Sequence, residues 1–216
     1  MPRALLLDLG GTAFGSGVEA MADLQAREPA LREVCARRGP LGSVPDPEWD
    51  EMIAGTITER EYWHRRWAEF GAALGRPGWT LQEFMHLLFA HTGPRPGAQR
   101  LAADARAAGV RIGVLTNDLQ AFFGEAAMSA HPFLDGVDVL VDGSVTGVLK
   151  PDPRAYALAA QRLGLPADEI VFVDDMPWNV EGARRAGMVA LLLDYRDPDA
   201  AFDAARTAVG LERRAA

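Results

Sequence analysis

The amino-acid sequence predicts an α/β protein with a Rossmann-like parallel sheet, helices on both faces of the sheet, and a small inserted domain that is all helical. Short apolar runs bounded by turn residues recur along the chain, and each is typical of a buried parallel strand. The runs are Ala4 to Leu7, Val110 to Leu115, Val137 to Val141, Ile170 to Val173 and Val189 to Leu193. Helical patterns separate the later runs, and strands that alternate with helices indicate a doubly wound sheet.

The helical patterns of the core follow the strands in order. They cover Gly97 to Ala108, Leu119 to Ala130, Pro153 to Leu163 and Val180 to Ala186, and a last amphipathic pattern runs from Pro198 to Val209. This alternation accounts for the N-terminal strand and for the whole second half of the chain.

The alternation stops between Phe14 and Pro94, where the segments all have helical patterns. These segments are Val18 to Arg38, Pro47 to Met52, Glu59 to Leu74 and Leu81 to Phe89. The linker sequences GSG and TGPRPG flank the stretch and are typical of hinges between domains. We therefore predict a core domain of residues 1–13 and 95–216, and a helical cap domain of residues 14–94.

Composition excludes several classes of protein. The chain has 216 residues, a net charge of -8 and no block of basic residues, which argues against binding to nucleic acid. Its apolar runs are too short to cross a membrane. The N-terminus lacks the apolar length and cleavage site of a signal peptide, so we expect a cytoplasmic protein. Cys35 is the single cysteine, which excludes an internal disulfide.

Lys150 is the only lysine of the chain; the other residues in the total of 22 lysines and arginines are all arginine. Lysine carries a compact charge on a thin stem, whereas arginine carries a broad planar fork. A sequence that uses arginine everywhere else indicates that this position needs a lysine, as in a crowded site with a carboxylate and a phosphate.

Polar side chains follow the predicted strands at their carboxyl ends, where open α/β sheets bind ligands. They are Asp8 after the first strand, Thr116 and Asn117 after the second, Lys150 after the third, and Asp174 and Asp175 after the fourth. Together they offer a nucleophile, hydroxyl and amide donors, a cation and an acidic pair able to hold a hard metal ion.

Four segments carry a resemblance to a known family. LLLDLGGT, GVLTND, GVLKPDPRAYALAAQRLGL and IVFVDDMPWNVEGARRAGM resemble, in order and spacing, the four motifs of the haloacid dehalogenase-like hydrolase superfamily, in the branch with a helical cap after the first motif. Within it the chain is most similar to glucose-1-phosphatase-like members and to the phosphatase domain at the N-terminus of epoxide hydrolases.

The resemblance implies that Asp8 attacks phosphorus and forms an aspartyl-phosphate. It implies that the Thr116 hydroxyl and the main-chain N–H of Asn117 bind the transferred phosphoryl group, and that Lys150 neutralises charge between this group and the nucleophile.

The resemblance also implies a Mg²⁺ site. Its ligands would be the carboxylates of Asp8, Asp174 and Asp175, together with the main-chain carbonyl of Gly10. Supporting roles at the turn and behind the acidic pair fall to Gly11, Thr12 and Asn179.

Gly10 departs from the family pattern, because most family phosphatases carry a carboxyl group there that protonates the leaving alcohol. We therefore expect a phosphatase of a small phosphorylated metabolite with a good leaving group, such as a sugar 1-phosphate. A weakly active or non-catalytic protein that binds such a metabolite is an alternative. A dehalogenase is less favoured, because family dehalogenases lack the metal and three carboxylates without a cation would raise each other's pKa. Phosphonate cleavage would need a second lysine.

Overall fold

The structure, a computed structural model, describes residues 1–125 and 133–211, and one part of it is built on a five-stranded parallel sheet. The strands are β1 (Ala4–Leu7), β2 (Arg111–Thr116), β3 (Val139–Asp142), β4 (Ile170–Asp174) and β5 (Val189–Leu192). Their order across the sheet is β3-β2-β1-β4-β5. The predicted fold class is confirmed.

The register of the central strands aligns their carboxyl ends. Leu7 at the end of β1 is level with Val173 in β4, and the main-chain N–H of Asp8 donates to the Val173 carbonyl at 2.9 Å. The nucleophile candidate and the acidic pair are therefore brought to one edge by main-chain pairing alone.

Two compact units make up the chain. One consists of Met1–Gly15 with Gly93–Ala216, and the other of Ser16–Thr92. The second unit is helical, with α1 (Gly17–Arg27), α2 (Arg32–Ala36), α3 (Pro47–Ile53), α4 (Glu59–Ala73) and α5 (Leu81–Phe89). Its function as a cap stays a prediction.

The segment from Val18 to Arg38 is helical as predicted, but it is not one continuous helix. Pro29 lacks the N–H that would continue the α1 hydrogen bonds, and Glu28 before it adopts φ -120° and ψ 90°. A 3₁₀ turn, Pro29–Leu31, therefore separates α1 from α2.

Helices cover both faces of the sheet. They are α6 (Pro96–Ala107), α7 (Leu119–Phe123), α8 (Gly143–Thr146), α9 (Pro153–Leu163), α10 (Pro177–Arg185) and α11 (Pro198–Ala208). On one face Leu5 and Leu7 pack in a core with residues of α6 and α11, and on the other Leu6 packs in a core with residues of α9 and α10. Alternate residues of one strand enter opposite cores, which explains the continuous apolar run of β1.

Two helices of the core differ in extent from their predicted segments. α10 begins at Pro177, three residues before the predicted Val180, because proline suits the first turn of a helix. α7 begins at the predicted Leu119 and ends at Phe123, followed by Gly124 at φ 81°. Residues 126–130 of the predicted segment lie outside the described residues. Within the described ranges, none of the helices combines the length and apolarity that crossing a bilayer requires.

Candidate active site

The chain makes one wide turn directly after Asp8. The main-chain N–H of Ala13 donates to the Asp8 carbonyl at 3.2 Å, and that of Phe14 donates to the Leu9 carbonyl at 2.8 Å. Gly11 lies inside this turn at φ 83°, in the left-handed region that favours glycine. A Cβ atom at Gly11 would lie 2.1 Å from Oδ2 of Asp175, so the turn and the acidic pair both require this glycine.

Gly10 has no such requirement. Its φ of -75° and ψ of 125° are open to any residue, and a Cβ atom there would meet no atom within 4 Å. The residue is also exposed. Neither the backbone nor the packing therefore explains why the chain lacks a side chain at the position of the family's acid.

Lys150 joins two of the acidic residues. Its Nζ lies 2.5 Å from Oδ1 of Asp8 and 2.6 Å from Oδ2 of Asp174, and its side chain is only 2% exposed. Burial opposes the charge of this ammonium group, but the two carboxylates outweigh that effect and raise the lysine pKa. The raised pKa favours the charged form of Lys150, although the residue is buried.

Thr116 and Asn117 lie at the carboxyl end of β2, where Asn117 contacts this lysine. Thr116 is the last residue of the strand and is buried. The side-chain Oδ1 of Asn117 accepts the main-chain N–H of Lys150 at 2.8 Å, and its Nδ2 donates to the Lys150 carbonyl at 3.2 Å. The predicted phosphate contact of Asn117 involved its main-chain N–H, so this contact of its side chain is a finding of the structure.

Asp174 is oriented by several donors. Its Oδ1 accepts the main-chain N–H of Met176 at 2.8 Å and Nδ2 of Asn179 at 3.1 Å. Asn179 is buried in the first turn of α10, and its own Oδ1 has no hydrogen-bond partner among the described residues. The predicted place of Asn179 behind the acidic pair agrees with this contact.

The turn after Asp8 has one brace that the sequence did not indicate. A guanidinium nitrogen of Arg95 donates to the Gly11 carbonyl at 3.1 Å. Thr12, the predicted brace, is fully buried, and its hydroxyl finds no hydrogen-bond partner within the described part of the chain.

The carboxylates of Asp8, Asp174 and Asp175 form a buried cluster in which one oxygen of each lies within 4.8 Å of the others. The pKa of Asp8 is raised to about 7, because burial, helped by the charge of Asp174, outweighs the lowering effect of Lys150. A single ammonium group leaves this cluster with excess negative charge. Clustered carboxylate oxygens are the ligands that Mg²⁺ takes in proteins, so the residues present fit this ion.

Tyr195 is a contact of the cluster that the sequence analysis missed. Its hydroxyl donates to Oδ2 of Asp175. The residue follows the end of β5 by three positions. Its signal in the sequence was a polar aromatic residue just after the fifth apolar run, at the same edge of the sheet as the other strand ends.

The parallel sheet and this cluster define a Rossmann-like α/β protein with three carboxylates and a lysine grouped at the carboxyl ends of its strands. Residues 2–187 match the model of one family, described as haloacid dehalogenase-like hydrolase. The chain belongs to this family, as the four motifs predicted.

Relatives within the family include several phosphatases. The chain is 39% identical to phosphatase MT3486 of Mycobacterium tuberculosis over 46% of each sequence. It is 32% identical to phosphoserine phosphatase of Thermus thermophilus, over 93% of this chain and 86% of that protein. The chain spans less than half of the mycobacterial relative, and 18% of a mouse relative, acyl-CoA dehydrogenase family member 10.

Solved structures share the fold. A HAD phosphatase from Thermococcus onnurineus aligns with a TM-score of 0.62 at 20% identity, over 98% of this chain and 100% of that chain. An L-2-haloacid dehalogenase from Xanthobacter autotrophicus aligns with a TM-score of 0.56 at 22% identity, over 89% of this chain and 78% of that chain. At these identities the likeness extends to the fold alone.

Proposed function

We propose that this chain is a Mg²⁺-dependent phosphatase of a small phosphorylated metabolite and that it forms an aspartyl-phosphate on Asp8. The observation that carries the proposal is the Lys150 ammonium group, which bridges Asp8 and Asp174 inside the acidic cluster. The phosphatase relatives support it, because one of them is similar over nearly the whole chain.

Asp8 supplies the attacking oxygen. As the bond from this oxygen to phosphorus forms, the ester bond breaks and the alcohol oxygen leaves with the bonding electron pair. Water then attacks the phosphorus and the bond from the Asp8 oxygen to phosphorus breaks, which releases the free carboxylate; one proton of the water stays on the inorganic phosphate and the other passes through solvent to the alcohol oxygen. The rigid end of β1 and the contact with Lys150 hold the attacking carboxylate in place.

Lys150, Thr116 and Asn117 bind the phosphoryl group in this proposal. The ammonium group of Lys150 compensates the charge on the phosphoryl oxygens, which would otherwise repel the carboxylate. The Thr116 hydroxyl and the Asn117 main-chain N–H donate to the same oxygens. Because Thr116 ends β2 and the Asn117 side chain contacts the Lys150 main chain, these donors are ordered before the substrate arrives.

The metal would be held by Asp8, Asp174, Asp175 and the Gly10 carbonyl. When bound, Mg²⁺ neutralises negative charge on the phosphate and orients it toward the nucleophile. The buried acidic cluster and its single cation support this assignment, because the excess negative charge needs a counterion.

Gly10 selects the substrate class in this proposal. A carboxyl group that protonates the leaving alcohol typically raises the reaction rate about 10²–10⁴-fold. Gly10 has no side chain that could supply this proton. Substrates whose alcohol is already acidic, such as anomeric, acyl or aryl phosphates, lose least from its absence. A sugar 1-phosphate is therefore a better candidate than a sugar 6-phosphate.

A screen of phosphate esters tests the proposal. Aryl phosphate, sugar 1-phosphates and sugar 6-phosphates are incubated with the protein and Mg²⁺, with 2-haloacids in parallel, and released phosphate and halide are measured. We expect phosphate release that depends on Mg²⁺ and is absent from the Asp8→Asn variant. Halide release without metal would favour the dehalogenase, and phosphometabolite binding without turnover would favour the non-catalytic alternative.

A further inference from the structure

We propose that Tyr195 is a positioning residue of the metal site and that it makes the site selective for Mg²⁺ by fixing the orientation of Asp175. This inference rests on the proposed function, because it concerns the same acidic cluster. The group it assigns lies at the fifth strand end, outside the four motifs.

Main-chain pairing brings Tyr195 to the cluster. β5 runs parallel to β4 with Leu192 level with Asp174, and the Leu193 N–H donates to the Asp174 carbonyl at 3.0 Å. A tight turn follows, in which the Asp197 N–H donates to the Asp194 carbonyl at 3.1 Å. Tyr195 lies within this turn, so its position relative to the acidic pair is set by the backbone.

Asp175 is confined from two sides. Its Oδ2 accepts the hydroxyl of Tyr195, and the Gly11 backbone lies so close that a Cβ atom there would be 2.1 Å from the same oxygen. The carboxylate plane is thus defined before any cation arrives. A hydrogen-bonded carboxylate loses less rotational freedom when it coordinates a metal.

Each of the three acidic residues accepts a hydrogen bond that orients it. Lys150 contacts Asp8 and Asp174, and Asn179 also contacts Asp174. Tyr195 does the corresponding work for Asp175. The hydroxyl reaches the metal only through this carboxylate, so Tyr195 is expected to affect cation binding and not the chemistry of the phosphoryl group directly.

Mg²⁺ is more sensitive to this orientation than Ca²⁺. Mg²⁺ requires near-octahedral geometry at short distances, whereas Ca²⁺ accepts larger and more variable coordination. Release of Asp175 from Tyr195 should therefore weaken Mg²⁺ binding more than Ca²⁺ binding. A change in the ratio of the two affinities is a signature that general destabilisation does not produce.

The test is a calorimetric titration of the purified protein with Mg²⁺ and with Ca²⁺, using wild type, Tyr195→Phe and Tyr62→Phe. Tyr62 is a matched control, because its hydroxyl also donates to a carboxylate, Asp46, which is not part of the cluster. We expect Tyr195→Phe to weaken Mg²⁺ binding by about 10–100-fold with a smaller effect on Ca²⁺, and Tyr62→Phe to match wild type. Thermal unfolding without metal checks that both variants are folded.

Kinetics give a second readout. At saturating Mg²⁺, Tyr195→Phe should recover most of the wild-type kcat with an unchanged KM for the ester, because only occupancy of the cation site is impaired. Wild type that binds no Mg²⁺ would overturn the metal model and this inference together. If wild type binds Mg²⁺ and Tyr195→Phe binds it with equal affinity, this inference is overturned. The same holds if the variant loses affinity for Mg²⁺ and Ca²⁺ in the same proportion. In both cases the phosphatase proposal stands.

Discussion

The side chain of Asn117 holds the main chain of Lys150 at both of its polar groups, accepting the N–H at 2.8 Å and donating to the carbonyl at 3.2 Å. The two residues are 33 positions apart; Asn117 follows β2, and Lys150 lies in the loop between α8 and α9. The contact positions the lysine whose ammonium group bridges Asp8 and Asp174. Asn117 therefore carries a structural task in addition to its predicted contact with phosphate.

Asn117→Asp tests this clamp with a side chain of the same shape. The carboxylate replaces the Nδ2 donor by an acceptor that faces the Lys150 carbonyl, so the lysine segment should shift. We expect a loss of about 10²-fold in kcat/KM, as for a misplacement of about 1 Å in a catalytic group. Asn117→Ala should lose a comparable amount, and near-native kinetics of either folded variant would contradict the clamp.

Lys150→Arg should be nearly as damaging as Lys150→Ala, although it keeps the charge. The ammonium group is buried at 2.5 Å and 2.6 Å from two carboxylates, where the wider guanidinium has no room. Steady-state phosphate release from the three proteins measures the effect. Comparable activity of wild type and Lys150→Arg would mean that the single lysine of the sequence survived by chance.

Asp8→Asn should remove turnover and keep the fold. The amide is a far weaker nucleophile, and it is close in shape to the buried carboxylate that it replaces. Phosphate release and thermal unfolding are measured on the same preparation. A folded variant with near-native turnover would end the covalent mechanism.

Gly10→Asp should add an acid where the backbone accepts one. The φ of -75° and the open space around Gly10 remove the strain that a side chain would meet in the left-handed region. We expect turnover of simple alkyl phosphates to rise by about 10²-fold and the dependence of rate on leaving-group acidity to flatten.

The control for that variant is Gly10→Ala, which adds a Cβ atom without a carboxyl group. It should keep the steep leaving-group dependence expected of wild type. A flat series for wild type itself would show that water or another residue already protonates the leaving group.

Gly11→Ala should weaken Mg²⁺ binding, in contrast to Gly10→Ala. At φ 83° an alanine adds backbone strain of about 1–2 kcal/mol. Its Cβ atom would lie 2.1 Å from Oδ2 of Asp175, so the carboxylate must move away. Calorimetry with Mg²⁺ on both variants measures the difference. Equal affinities would contradict the close packing of Gly11 against the acidic pair.

Cys35 should react slowly with thiol reagents in the folded protein. Burial raises the pKa of its thiol from 9.0 to about 11, although Arg66 and Arg38 act in the opposite direction. Because this pKa is higher in the folded state, the stability that the neutral thiol contributes is complete below pH 9.0 and declines as pH rises toward 11. The rate of thiol modification at mildly alkaline pH, measured with and without urea, checks the low reactivity of Cys35. Equal rates in the folded and unfolded protein would contradict it.

The sequence by itself determined the fold class and the set of strand-end residues. Buried parallel strands must be apolar on both faces, so their runs are visible in the sequence, and parallel pairing carries whatever follows each run to one edge of the sheet. Asp8 and Asp174 therefore followed from local patterns, and Lys150, which lies beyond α8, from its being the single lysine of the sequence, without knowledge of any contact between them.

Only the tertiary structure decided how that set is held. Tyr195 meets Asp175 across 20 residues, and no periodicity or motif encodes a hydrogen bond that depends on the register of two strands and the turn after one of them. Gly10 and Gly11 are the same residue type, so the sequence does not show how their surroundings differ. Gly10 has an ordinary φ and open space around it, whereas Gly11 has a positive φ and the Asp175 carboxylate where a side chain would begin. Backbone angles and neighbours arise only when the chain has folded.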